Sequence, residues 1–330
     1  MEQQEARVRT VLGDVPAEEL GIVYAHEHLI IQGGLGVMKN KDLHLNSVEK
    51  AIAEVEDCKR LGARTFIDYM PPGTGRNAAA LADIAKRTNT HIVAVTGFHK
   101  PMYYDDLHWI YSYSIDQIVR LLVAECEEGM DRHGYNGPYV DRLAAKAGVL
   151  KGASDYNAIH PVSAKLLEAV ALAQRETGVP IATHTEHGTC GLQQIELLMK
   201  HGVDPGDVII CHMDRNPDLY VHKELAATGC YLEYDNASRI KYHPDSSGVG
   251  LIRGMIEAGY GDRLLLGTDF ALRSYWKAYG GGPGMAHLLE TFVPRLQAEG
   301  VAEADLDRML RSNPARAYAL RPTKRSGRTS

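Results

Sequence analysis

The sequence predicts a single (β/α)8 TIM barrel, in which eight parallel strands alternate with helices. Three observations support this fold class: the chain has 330 residues, short apolar runs recur eight times, and longer amphipathic stretches lie between them. An open doubly wound sheet is the alternative, but no G-x-G-x-x-G motif follows the first apolar run. The closed barrel is therefore the expected architecture.

The eight apolar runs are short and often β-branched, which is typical of strands that are covered on both faces. In chain order they are GIVYAHEH, RTFIDYM, HIVAVTGF, AGVLK, VPIATHT, VIICHM, CYLEYD and RLLLGTD, which begin at residues 21, 64, 91, 147, 179, 208, 230 and 263. We expect each run to form one strand of the barrel, in this order.

Helical patterns separate these runs. One helix is predicted from Ser47 to Leu61, and a second opens with an S-x-x-Q capping box at Ser114 and stops at Gly129. The stretches PVSAKLLEAVALAQRETG and GLQQIELLMKHG also end in a glycine that suits a helix C-cap. The segment KPMYYDDLHWIYSYS after the third run is too long and aromatic for a connector, and it predicts a lid or an interface.

Composition and charge limit the classes of function. Hydrophobic residues make up 45%, charged residues 24%, and the formal net charge is -6, which favours a soluble globular protein without a nucleic-acid or membrane partner. The start MEQQEARVRT lacks the apolar core of a signal peptide, so we expect a cytoplasmic protein. We expect one domain over residues 1–320 and a flexible basic tail over residues 321–330.

The cysteines are odd in number and scattered along the chain, which excludes a disulfide framework and a thiolate zinc site. They are Cys58, Cys126, Cys190, Cys211 and Cys230.

Side chains that commonly bind metals lie at the predicted carboxyl ends of several strands. His26 and His28 are two positions apart on the first strand, so they point to the same face. Barrel enzymes place their chemistry at this end of the strands. Alone, each residue has a simpler interpretation, such as a hydrogen-bonded core histidine, but together they predict a metal site. The full set is His26, His28, Lys151, His184, His212 and Asp269.

Lys151 is the unusual member of this set, because an ammonium cannot bind a cation. The preceding AGVL predicts a desolvated position, which lowers the pKa of a lysine and exposes a nucleophilic amine. Such an amine can add carbon dioxide to form a carbamate, which acts like a bridging carboxylate. The set then offers enough nitrogen and oxygen ligands for two divalent ions, and a hydroxide between them would be a strong nucleophile.

Several motifs resemble the phosphotriesterase-like lactonase family of the amidohydrolase superfamily: HEHL, AGVLK, PIATHTEHGT, CHMDRNPD, LLLGTDF and SNPARAYAL, over about residues 8–320. The resemblance implies that His26, His28 and Asp269 hold one metal ion, that His184 and His212 hold the second, and that carboxylated Lys151 bridges both. One branch of the family has glutamate instead of this lysine. Zinc is the expected metal, with manganese, cobalt or iron as alternatives, and a homodimer is expected from the family and the aromatic segment.

The reaction that the resemblance implies is hydrolysis. One metal polarises the scissile oxygen, the bridging hydroxide attacks, and Asp269 carries its proton to the leaving oxygen. In the loops after the seventh and eighth strands, Lys241, Arg273 and Tyr275 predict a phosphate site, with solvated surface charges as the alternative. MDRHGYNGP and RIKYHPDS resemble the branch that opens phosphorylated furanose lactones. We therefore expect a lactonase for a phosphorylated five-carbon sugar lactone, a small-molecule substrate.

The substrate pocket is expected to include His99 and Lys100 from TGFHK. In the acyl-homoserine lactonase branch a tyrosine stands near the position of His99, which argues against that substrate. Three other functions stay open. They are a phosphotriesterase or a lactonase for apolar lactones, a Schiff-base aldolase that uses Lys151, and a metal-holding protein without activity.

Overall fold

The structure is a computed structural model that describes residues 5–323. An antiparallel hairpin of β1 (Arg7–Thr10) and β2 (Gly13–Pro16) precedes the barrel. The barrel strands are β3 (Ile22–Glu27), β4 (Ala63–Asp68), β5 (His91–Gly97), β6 (Val149–Ala153), β7 (Ile181–His184), β8 (Val208–Ile210), β9 (Tyr231–Tyr234) and β10 (Leu264–Leu266).

Neighbouring strands from β3 to β10 pair in parallel and in chain order. The barrel closes just beyond the ladders, where the amides of Thr268 and Asp269 donate hydrogen bonds of 3.2 and 3.0 Å to the carbonyl of His26. The predicted (β/α)8 barrel is confirmed. The N-terminal hairpin was not predicted, because its two strands have only four residues each.

Helices surround the barrel. They are α1 (Gly34–Lys39), α2 (Val48–Arg60), α3 (Ala78–Thr88), α4 (Trp109–Ser112), α5 (Ile115–Glu127), α6 (Pro161–Thr177), α7 (Gly191–Lys200), α8 (Leu219–Ala227), α9 (Asp245–Glu257), α10 (Val293–Ala298), α11 (Glu303–Asp307) and α12 (Asn313–Ala317), with π-helical turns at Leu288–Phe292 and Arg308–Ser312. The capping box of Ser114 and Gln117 is present at the start of α5. Gly178 ends α6 at φ 69°, a left-handed conformation that glycine adopts without steric cost.

The core has two parts, as expected for a barrel. Alternate strand residues such as Val93 and Val95 face the barrel interior, while Ile92 and Ala94 pack under the helices, and all four are fully buried. The interior is therefore filled with side chains, and it supports the polar residues at the carboxyl end of the strands.

The structure describes the aromatic segment in full and the predicted tail in part. The aromatic segment 100–114 contains a 3-10 turn at Pro101–Tyr103 and α4, and it buries Tyr104 and Ile110. Of the predicted tail, residues 324–330 lie outside the described part of the chain, while Arg321 pairs with Asp207 at 2.5 Å. No described helix is both long enough and apolar enough to cross a membrane.

Candidate active site

A cavity of about 390 Å³ lies at the carboxyl end of the barrel strands. All six side chains of the predicted metal set line it, although they are spread from residue 26 to residue 269. Each of the six is buried, with at most 7% of its surface exposed. The fold therefore brings together imidazoles, a carboxylate and an amine that are distant in the chain.

The backbone holds two of these residues in an unusual conformation. His212 follows β8 at φ 64° and Asp269 follows β10 at φ 48°, both in the left-handed region, which is costly for residues other than glycine. Gly267 allows the close approach of this segment to β3, since a Cβ there would lie 2.6 Å from the amide nitrogen of His26. The backbone is thus strained at His212 and Asp269, whose side chains line the cavity.

Two imidazoles are oriented by carboxylates from β9 and the residue after it. His26 Nδ1 lies 2.8 Å from Glu233 Oε2, and His212 Nδ1 lies 2.8 Å from Asp235 Oδ2. The second nitrogen of His26, Nε2, is buried and has no hydrogen-bond partner among the described residues. Carboxylates on one nitrogen and a free second nitrogen are typical of histidines that bind metals.

Asp269 completes a cluster with the two histidines of β3. Its Oδ1 lies 3.1 Å from His28 Nε2 and 3.7 Å from His26 Nε2, and the three ligand atoms fall within 4.8 Å of one another. Its Oδ2 accepts hydrogen bonds from Arg215, at 2.5 Å, and from Arg239. Burial opposes ionisation of Asp269, but Arg239, the hydrogen bond with His28 and Arg215 outweigh it and hold its pKa well below the usual value. The cluster therefore offers an ionised carboxylate beside two imidazoles.

Lys151 lies at the base of the cavity. It is 2% exposed, and its Nζ donates a hydrogen bond of 2.7 Å to the carbonyl of Tyr69. Burial lowers the pKa of Lys151, which increases the fraction of neutral amine. A neutral amine is the form that reacts with carbon dioxide, so this environment fits carbamate formation.

His184 lies next to His212 in the cavity. The ring centroids of His184 and His212 are 4.6 Å apart, and those of His212 and His26 are 4.8 Å apart. Burial is the main cause that lowers the pKa of His184 to about 4. The imidazole is therefore neutral at physiological pH, as a metal ligand must be.

The three residues of the predicted phosphate site do not all line the cavity, although the ring centroid of Tyr275 lies 5.7 Å from the guanidinium of Arg239, which does. Lys241 lines the cavity, whereas Arg273 and Tyr275 are absent from the described residues of its wall. Arg273 donates hydrogen bonds of 2.6 Å to the carbonyl of His44 and 2.8 Å to Asn46, and Tyr275 stacks on Phe270. The loop after β10 folds onto the segment around residue 44, so the Arg273 guanidinium is used there.

His99 and Lys100, predicted in the substrate pocket, both line the cavity. His99 Nδ1 accepts a hydrogen bond of 2.7 Å from the amide of Lys100, and its ring lies 4.7 Å from that of His184. The ammonium of Lys100 is paired with Glu186. Lys100 is thus buried and has a partner within the protein.

The sequence interpretation did not include several residues of the site. Arg215, Arg239 and Glu186 line the cavity, and Glu233 and Asp235 orient the histidines. The alternation of Glu233 and Asp235 in CYLEYD could have indicated two carboxylates on one face of a buried strand. No local pattern distinguishes the two arginines from surface residues.

Imidazoles and a carboxylate cluster at the carboxyl end of the barrel strands. This arrangement defines the class of (β/α)8-barrel enzymes whose active site contains side chains that can bind metal ions. Comparison with known proteins makes the class specific. The model of the phosphotriesterase family matches residues 6–318, and the chain belongs to this family of hydrolytic enzymes.

Relatives and solved structures agree with this assignment. The chain is 37% identical over 322 residues to a phospho-furanose lactonase of Mycoplasmopsis agalactiae, which covers 95% of this chain and 91% of the relative. An amidohydrolase structure from Mycoplasma synoviae has a TM-score of 0.94 at 34% identity and covers 98% of this chain and 94% of its own. A lactonase structure from Listeria monocytogenes has a TM-score of 0.90 at 32% identity and covers 96% and 100%.

Proposed function

We propose that the protein is a binuclear metal-dependent lactonase that opens a phosphorylated furanose 1,4-lactone. One observation carries the proposal: four imidazoles, an ionised carboxylate and a buried amine share a cavity with Lys241 on its wall. The names of the lactonase relatives support the reaction and the substrate class.

The donor atoms fit two divalent ions. His26, His28 and Asp269 would hold one ion, His184 and His212 the other, and carboxylated Lys151 would contact both. Nε2 of His26, which is buried and has no partner within residues 5–323, and the neutral imidazole of His184 support this assignment. Zinc is the proposed metal. When bound, the ions would polarise the lactone carbonyl and lower the pKa of the attacking water.

Asp269 is proposed to carry the proton. Its Oδ2 is occupied by Arg215 and Arg239, so Oδ1 is the oxygen that faces the cavity histidines. In the reaction, water adds to the carbonyl carbon and its proton passes to Oδ1. The bond from this carbon to the ring oxygen then breaks, and the proton moves to that oxygen to give the open hydroxy acid.

Lys241 is proposed to bind the substrate phosphate. Its Nζ lies 4.7 Å from the ring centroid of Tyr242, and Arg215 and Arg239 lie on the same part of the wall. Asp235 and Asp269 pair with the two arginines, so the three cations exceed these carboxylates by one charge, and the ammonium of Lys241 is a suitable point charge for phosphate. The phosphate contacts of Arg273 and Tyr275 stay predictions from the sequence.

The test compares 1,4-lactones of five-carbon sugar acids with and without a 5-phosphate, using metal-replete protein. We expect kcat/KM to be at least about 100-fold higher for the phosphorylated lactones, as for a charge-assisted contact worth about 3 kcal/mol. Lys241→Met should lower this preference at least tenfold, while the exposed control Lys86→Met should not. Equal rates on both lactones would overturn the substrate assignment and leave the hydrolase intact.

A second candidate is a phosphotriesterase or a lactonase for apolar lactones. The apolar part of the cavity wall, with Val37, Leu43 and Leu272, favours it. In that case apolar lactones or phosphotriesters would be the faster substrates, and Lys241→Met would leave their kcat/KM unchanged. The cytoplasmic location, the homodimer and the absence of a nucleic-acid partner stay predictions from the sequence.

A further inference from the structure

Lys100 and Glu186 form an ion pair in the cavity wall. Lys100 follows β5, and Glu186 stands two residues after His184 at the end of β7. The ammonium donates a hydrogen bond to Glu186 Oε2, and the side chains are 9% and 25% exposed. The pair thus links two loops that are 86 residues apart in the chain.

The same carboxylate oxygen also contacts a predicted metal ligand. Glu186 Oε2 lies 3.1 Å from His184 Nε2, which identifies Nε2 as the nitrogen that donates. The other nitrogen, Nδ1, makes no hydrogen bond within residues 5–323. His184 therefore presents the lone pair of Nδ1, whereas His26 and His212 are held at Nδ1 and present Nε2.

We propose that the pair of Lys100 and Glu186 positions His184 for metal binding. Lys100 fixes the carboxylate of Glu186, and Glu186 fixes the tautomer and ring orientation of His184. This inference rests on the metal centre of the proposed function. A hydrogen-bond acceptor on the second nitrogen of a metal-binding histidine fixes its tautomer and ring orientation, and removal of that acceptor typically lowers metal affinity 10- to 100-fold.

Two other roles for the pair lead to different results. If Glu186 were itself a ligand, the amide of glutamine could not replace it, but a positioning glutamine still accepts the hydrogen bond from His184. If Lys100 acted only through its charge, its removal would relieve repulsion and strengthen the binding of cations. A positioning role predicts the opposite sign, because Glu186 loses the partner that holds it.

The experiment measures zinc affinity by chelator competition on the zinc-loaded protein, with stoichiometry from elemental analysis. We expect Glu186→Ala to weaken one of two bound ions 10- to 100-fold and Glu186→Gln to stay within about threefold of wild type. Lys100→Met should weaken the same ion about tenfold, and Lys100→Arg should restore it. In the Glu186→Ala background, Lys100→Met should cause no further loss, since it acts through the carboxylate. Lys86→Met is the matched control.

The outcomes separate the two proposals. Unchanged affinity in Glu186→Ala, or stronger binding in Lys100→Met, would overturn the positioning role while the lactonase assignment stands. Equal losses in Glu186→Gln and Glu186→Ala would make Glu186 a ligand and would also overturn it. A wild-type protein that binds fewer than two zinc ions would refute the metal centre, and this inference with it.

Discussion

Arg215 Nη2 lies 2.5 Å from Asp269 Oδ2 and 3.1 Å from Asp235 Oδ1, so one guanidinium joins two carboxylates that follow β9 and β10. Arg215 is 4% exposed. Asp235 in turn orients His212, and Asp269 contacts His28. The arginine therefore connects Asp269, the proposed proton carrier, to the carboxylate that orients His212.

Replacement of Arg215 should affect stability and catalysis together. In Arg215→Met, two buried carboxylates lose a partner, and removal of one member of a buried pair typically costs about 3–5 kcal/mol. We expect the free energy of unfolding to fall by about 3 kcal/mol and kcat to fall at least tenfold, because Asp269 then keeps only Arg239 as a partner of Oδ2 and is held less firmly. Denaturant titration and lactone kinetics measure the two effects. Arg311→Met, which removes an exposed pair with Asp307, is the control and should change stability by less than about 1 kcal/mol.

Carboxylation of Lys151 should be visible directly. Burial lowers the pKa of Lys151, so its amine is neutral at a lower pH than that of an ordinary lysine and can react with carbon dioxide. Zinc reconstitution of the metal-free protein should be slow in bicarbonate-depleted buffer and faster after bicarbonate is added. With ¹³C-bicarbonate, a carbamate carbon signal should appear in the NMR spectrum of wild type. Its presence in Lys151→Met, or its absence from wild type, would contradict the assignment.

Replacement of Arg273 distinguishes a role in phosphate binding from a role in holding two loops together. Its guanidinium donates to the carbonyl of His44 and to Asn46, so Arg273→Met should loosen the wall formed by these loops. We expect kcat/KM to fall by a similar factor, about three- to tenfold, for phosphorylated and unphosphorylated lactones. A loss confined to the phosphorylated substrate would instead show that Arg273 binds the phosphate.

The metal-free protein should be destabilised by acid. Burial is the main cause that lowers the pKa values of His184 and His222 to about 4, below the value of 6.5 for an ordinary histidine. The unfolded chain therefore binds protons first as the pH falls, and the free energy of unfolding should decrease between about pH 6.5 and pH 4. Each imidazole contributes a slope of up to about 1.4 kcal/mol per pH unit. Urea titrations should show a shallower slope in His222→Gln, and an unchanged slope would refute the contribution.

The sequence predicted the parts of the molecule that depend on local pattern. Each apolar run became a strand, and the capping box at Ser114 began a helix as expected. His212 and Asp269 were placed at strand ends, although β8 ends at Ile210 and β10 at Leu266. His212 and Asp269 themselves adopt the left-handed conformation just beyond these ends, which a periodic pattern does not indicate.

The charged partners could not be predicted in the same way. Arg215 meets Asp269 across 54 residues, and Arg273 meets His44 across 229 residues. Arg273 offers the fork that suits a phosphate, yet a backbone carbonyl from the other end of the chain satisfies it. Local residue types indicate what a guanidinium can bind, whereas the fold decides which acceptor reaches it.

The amides of Thr268 and Asp269 close the barrel through hydrogen bonds to His26. This contact also determines when the site can form during translation. The chain must be synthesised beyond residue 269 before His26 and His28 can meet the carboxylate of Asp269. Until then, a metal ion could contact only part of the proposed ligand set.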